Sequence, residues 1–122
     1  MQKFKSFEEI VSWQKSRELN KKIYLITGSA SFKSDFDLAR QMRRSSISIS
    51  SNIAEGFERN SDREFAHFLF IAKASAGELR SQLYLASDLN YIEESQHKEL
   101  LDIVSKVSQL LGGLIKYLQK VE

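Results

Sequence analysis

Near the end of the chain, Leu100, Val104, Val107, Leu111, Leu114, Leu118 and Val121 recur at alternating steps of four and three residues. Such a seam predicts a helix from about Ser95 onward, with an apolar stripe that other helices must cover. Long helices are open to the rest of the chain too, because none of its 122 residues is proline and only five are glycine. Gly112 and Gly113 interrupt the seam at about 1 kcal/mol each relative to alanine. They mark either a local weak point or a close helix contact.

Three earlier segments carry helical signals. In the first, Ser6 and Glu9 have capping-box spacing. Phe7, Ile10, Val11, Trp13, Leu19, Ile23, Tyr24 and Ile26 supply its apolar surface, and a turn-like stretch from Thr27 to Ser34 closes it. The second begins near Ser34 to Asp37 and runs to about Glu58. Ser46 to Ser50 alternates with period two, a strand signal, yet Leu38, Met42, Ser45, Ile49, Ile53 and Phe57 keep helical spacing across the same region. Ile47 then lies about 200° from Ile49 around the axis. Two apolar sides predict that one meets the core and the other a partner subunit. The third starts at Ser61 with Glu64 completing a capping box, continues through Phe65, Phe68, Leu69, Ala72, Ala76, Leu79, Leu83 and Ala86, and stops near Asn90. Gly77 and the small residues from 72 to 76 would admit another helix closely.

Four helices with short links predict an all-α, antiparallel up-down-up-down four-helix bundle, one domain over residues 1–122. A composition 42% hydrophobic and 28% charged fits a globular chain. The absence of cysteine excludes disulfides and thiolate metal sites. The start of the chain is too polar for a secretory signal, and no apolar run approaches the roughly 20 residues that span a bilayer, so the expected location is cytoplasmic, with no membrane partner.

The stretch from Gln41 to Arg59 threads Arg43, Arg44, five serines, Asn52 and Glu55 through an apolar helix. Either Arg43 or Arg44 pairs with Glu55 or Glu78 in a half-buried network, or the arginines serve a phosphate site. Arg40 and Arg44 are neighbours one turn apart, and Lys15, Lys21 and Lys22 make the first segment basic. Net charge is only +2, so RNA or DNA binding would have to come from such local clusters. Phe4, Phe7 and Trp13 lie among those N-terminal cations as base-stacking or core residues. The serines read as small interface residues bonding carbonyls one turn back.

Little points to catalysis. Glu64-x-x-His67 and Glu94-x-x-His97 have the spacing of di-iron ligands in ferritin-like bundles. Each pair opens its helix, however, and antiparallel helices would hold the pairs some 35 to 40 Å apart at 1.5 Å per residue. There is no G-x-S-x-G motif and no phosphate-binding glycine loop. No metal, no cofactor and no enzymatic activity are expected.

Arg43-Arg44-Ser-Ser-Ile-Ser-Ile-Ser-Ser-Asn-Ile-Ala-Glu-Gly-Phe-Glu-Arg59 resembles the "RRA-x-SI-x-x-NIAEG-x-x-R" signature of the 23S rRNA-intervening-sequence, or four-helix bundle, protein family. Phe7 to Lys15 is similar to that family's "FE-x-L-x-VWQK" opening. Glu64 to Leu79 is similar to its "EF-x-x-FL-x-IA-x-GS-x-x-EL" block, and Tyr91-Ile92 to the usual close of its third helix. The chain departs from the pattern in lacking a proline before the second helix, in Ser45 and Ser46 where alanines are common, and in Ala74 for a glycine. The resemblance implies an up-down-up-down bundle assembled as a ring-like homopentamer, with no activity established for most members. The accessory protein of diversity-generating retroelements is similar, and by that likeness the implied partners are nucleic acid and a reverse transcriptase. Arg43, Arg44, Asn52, Glu55 and Arg59 become signature positions, structural rather than catalytic. The expected function is an oligomeric bundle that binds RNA or DNA on a basic surface. The alternative is an interaction scaffold without nucleic-acid contact.

Overall fold

Helix ends in this chain are set by short-range polar chemistry, and the computed structural model, which describes residues 4–120, shows where that chemistry operates. Helix α1 spans Val11–Thr27, α2 Phe36–Phe57, α3 Asp62–Asp88 and α4 Glu94–Lys120. Asp35 caps α2, its carboxylate accepting from Leu38 N at 3.1 Å. Ser61 caps α3, accepting from Glu64 N at 3.1 Å. At the start of α4, Gln96 Oε1 reaches back to accept from Glu93 N at 2.8 Å. These bonds satisfy amide donors that have no carbonyl partner in the first turn. Asn90 ends α3 in the left-handed region at φ 63°. Asn90 N donates to Ser87 O and Tyr91 N to Ala86 O, both at 2.9 Å, which is a Schellman closure with asparagine where glycine is usual.

The first helix departs from the sequence reading. Phe7–Glu9 is a separate 3-10 turn, and Ser6 makes no side-chain cap bond. Glu9 instead accepts from Lys5 N at 2.9 Å. Ile10 is extended, at φ −77° and ψ 120°, and this break turns its side chain into the core, where it is 2% exposed. Phe7 meets Trp13 edge-on at 5.1 Å, and Phe4, Phe7 and Trp13 all pack against the core. Burial of their apolar surface accounts for these aromatics without a bound base.

The four helices form the expected antiparallel bundle, with α1 packed on α2 and α4, and α3 packed on α2 and α4. Leu19, Ile23, Met42, Ile49, Ile53, Leu69, Leu79, Leu83, Val104, Val107 and Leu111 are fully buried at its centre. The α4 seam drifts from strict heptad order: Leu100, Val104, Val107, Leu111, Ile115 and Leu118 are buried, and Leu114 is only partly so. A step of four replaces a step of three after Leu111, because a helix of 3.6 residues per turn slips against a 3.5-residue repeat. Val121 lies outside the described residues.

The α2–α3 contact is the most extensive in the bundle, and small residues make it so. A Cβ at Gly56 would stand 2.7 Å from Phe68 Cβ and 3.1 Å from Phe65 Cδ1, so only glycine fits there unless the helices part. Ser45, Ala72, Ser75 and Ala76 are buried around the same seam. The close approach is therefore at Gly56 and not at Gly77, where a Cβ would meet nothing within 4 Å. Gly113 is equally open, and Gly112 faces only the Lys73 stem at 3.6 Å. Neither interrupts α4, which is continuous through both.

Candidate nucleic-acid interface

Where α1 meets α2, serines let the two backbones approach, and an asparagine bridges them. Ser46 Oγ donates to Asn20 Oδ1 at 2.6 Å, and Asn20 Nδ2 donates to Ser50 Oγ at 2.9 Å. Nearer the start of α2, Arg43 Nε donates to Thr27 Oγ1 at 2.8 Å, and Thr27 Oγ1 donates to Ile23 O at 2.7 Å. The Arg43 guanidinium lies 4.6 Å from the centre of the Tyr24 ring. A hydrogen bond and a cation–π contact thus hold one arginine at the mouth of the seam.

Outside this seam runs a groove of about 570 Å³ walled by Tyr24, Phe36, Arg40, Arg43, Arg44 and Ile47. Three guanidinium groups line it and no carboxylate does. Its apolar walls are unusually open: Phe36 is 74% exposed, Tyr24 44% and Ile47 40%, whereas Ile49 on the opposite side of α2 is 0%. Arg40 lies 5.9 Å from the Phe36 ring centre. Beyond Tyr24 the surface continues to Arg17 and Lys21, beside Glu18. Beyond Phe36 and Arg43 it continues to Lys33.

The five cations singled out in the sequence do not form one surface. Lys21, Arg40 and Arg44 border this groove system. Lys22 turns toward α4 and pairs with Glu99 at 3.1 Å. Lys15 precedes Lys22 by two helical turns and so shares its side of α1.

The half-buried ion-pair network does not form within the subunit. Arg44, Glu55 and Glu78 are all exposed, and among the described residues none has an ion-pair partner. Arg43 engages Thr27 and Tyr24 instead, because its position on α2 points it toward α1 rather than α3. Glu78 accepts only a long 3.4 Å bond from Ser45 Oγ. Asn52 Nδ2 donates to Ser48 O at 2.8 Å and to Ser48 Oγ at 3.0 Å, while Ser48 Oγ meets Ser75 Oγ at 2.9 Å. Ser50 makes the expected bond one turn back, to Ile47 O, but Ser45, Ser46 and Ser48 reach neighbouring helices. Arg59 closes the α2–α3 turn, 3.6 Å from Glu64 and 4.8 Å from the Phe68 ring centre.

The Glu-x-x-His pairs open α3 and α4 at opposite ends of the bundle. His97 packs edge-on against Tyr84 at 4.9 Å, and His67 against Phe68 at 5.6 Å. Among the described residues, no group of three or more His, Asp and Glu is placed to hold a metal. None of their helices is long and apolar enough to cross a membrane.

Tyr24 and Phe36 were not picked out from the sequence as groove residues. A signal was there: Phe36, Arg40, Arg44 and Ile47 follow steps of four, four and three, one stripe of α2 well away from its buried side.

The sequence profile of the 23S rRNA-intervening sequence protein family matches residues 8–113, most of the chain. The chain belongs to that family. As a 23S rRNA-intervening sequence protein it is also similar in structure to a protein of unknown function from the S23 ribosomal protein family of Bacteroides thetaiotaomicron, solved by crystallography at 1.70 Å. The TM-score is 0.81 at 29% identity, over 87% of this chain and 96% of that one. No curated protein matches the chain. The matched span of this 23S rRNA-intervening sequence protein includes the α1–α2 groove and the Gly56 contact, and no activity accompanies either comparison.

Proposed function

We propose that this protein is a non-enzymatic binding module that holds RNA or DNA by its phosphates in the α1–α2 groove and works as an assembly of several copies. One observation carries the reading: Arg40, Arg43 and Arg44 converge on one concave surface with no carboxylate in its lining. Guanidinium groups in such a setting attract phosphate oxygens and release counterions on binding. Arg43 is positioned in advance by Thr27 and Tyr24, which lowers the ordering cost of a contact.

Assembly is supported from the other side of α2. Ser48 opposite Ser75 and Gly56 opposite Phe68 fix the antiparallel register of α2 and α3, and Glu55 is exposed on α2. Ile71, Leu85 and Leu89 lie exposed along one side of α3, with Glu78 between them. Apolar residues rimmed by unpaired carboxylates mark an interaction surface, and a second copy of the chain is the occupant proposed here. A ring of five copies is the form the family resemblance implies. Repeated grooves would then add through effective concentration.

Fluorescence anisotropy with labelled RNA and single-stranded DNA at about 50 and 200 mM salt tests the binding claim, because phosphate-driven affinity falls steeply over that range. Binding that does not respond to salt, or none at the lower concentration, would refute it. Particle mass in solution tests assembly separately.

A further inference from the structure

Phe36 is the most exposed large apolar side chain in the described structure, at 74%. It is also the first residue of α2, directly after the Asp35 cap. An aromatic ring left this open serves no purpose in the bundle core and gains nothing from phosphates. Its surroundings are specific. Arg40 stands 5.9 Å from its centre. The ring separates two concavities that share Arg43, one bordered by Arg40 and Arg44 and the other by Lys33. No carboxylate lines either of them. Exposed aromatic rings interleaved with cations are what unpaired bases require, since every base has a face to stack and a phosphate on each side to neutralise. A duplex keeps its base faces stacked inside and offers an aromatic ring none of them, only base edges and backbone.

From this arrangement we infer that the α1–α2 groove takes single-stranded nucleic acid, with one base stacked on Phe36 and the flanking phosphates held by Lys33 on one side and by Arg40 and Arg44 on the other. This rests on the phosphate-binding reading and names the form of nucleic acid that the groove selects. The backbone of α2 from Phe36 to Arg44 rises about 12 Å, so the cations and the ring lie along one line and not in a ring around a point. That layout fits a strand laid along the start of α2 better than a compact phosphate ligand.

The test compares an unstructured oligouridine RNA and an oligothymidine DNA with a mixed-sequence DNA duplex, each labelled and titrated by anisotropy at about 50 mM salt. The protein is used as wild type, Phe36→Ala and Arg44→Ala. The ring is exposed, so circular dichroism of Phe36→Ala should be unchanged and serves as the folding control. The expected result is single-strand affinity about tenfold weaker in Phe36→Ala, duplex affinity unchanged, and both weakened in Arg44→Ala. Single-strand affinity unaltered by Phe36→Ala, or a duplex bound as tightly as the single strands by wild type, would overturn the single-strand inference and leave phosphate binding standing. No binding of any probe would overturn both.

Discussion

Two residues show how local demands fix this molecule. Gly56 allows α2 and α3 to touch, since a methyl group there would press to 2.7 Å from Phe68 Cβ. Gly56→Ala is expected to cost about 1 to 3 kcal/mol, the usual range for overpacking, read as a lower Tm with the helical spectrum retained; an unchanged Tm would mean the helices separate freely there. Tyr91 ties the α3–α4 turn to the start of α2, its hydroxyl donating to Asp35 Oδ2 at 3.0 Å and its ring 5.1 Å from Phe32. That bond to a carboxylate, with lesser help from desolvation and charge, raises the phenol above its ordinary value of 10.0. The folded state therefore favours the protonated phenol. Its contribution is complete below the unfolded value near 10 and is lost as pH rises through the higher folded one. A spectroscopic titration of the tyrosines should show one late component that disappears in Tyr91→Phe; four indistinguishable components would contradict the assignment.

At the scale of elements, α2, α3 and α4 were legible in the sequence because their signals are local. Ser61 is a cap three residues before Glu64, and the stop at Asn90 needs only a residue tolerant of positive φ. The start of α1 was not legible. Ser6 and Glu9 have capping spacing, but burial of Ile10 breaks the helix between them, and that burial depends on the other three helices. Glycines misled for the same reason. Gly77 read like a site of close approach and Gly112 and Gly113 like either that or a weak point, and only the packed structure shows Gly56 in that role. Gly77→Ala and Gly113→Ala are accordingly expected to raise stability by about 0.5 to 1 kcal/mol, measured by denaturant midpoint. A loss at either position would reveal a contact made outside the subunit. The groove side of α2 and the exposed side of α3 make a matching pair of predictions. Leu85→Asp on α3 should reduce particle mass in analytical ultracentrifugation, because it places a charge in the proposed contact between copies. The spacing of α2 suggests a partner subunit on the Ile47 side, but Ile47 walls the arginine groove. Ile47→Asp should therefore preserve the particle mass and weaken nucleic-acid binding, because it places a carboxylate among three arginines. Reversed outcomes would exchange the two faces.

For the whole molecule, a net charge of +2 says little about partners, and the distribution of charge says more. The bundle divides the basic residues of α1 between two sides: Lys22 is committed to Glu99, while Lys21 joins the side that carries Arg40 and Arg44. Sequence spacing alone grouped all of them, since one-dimensional proximity cannot say which helix comes to lie beside which face. The most direct measurement is a comparison of two charge reversals in salt-dependent anisotropy, Arg40→Glu with Arg44→Glu against Lys15→Glu with Lys22→Glu. Both pairs change net charge equally. The groove account predicts that the arginine pair abolishes binding of labelled single-stranded RNA at about 50 mM salt while the lysine pair keeps most of it. Equal losses in both would contradict a localised site and point to diffuse attraction over the surface.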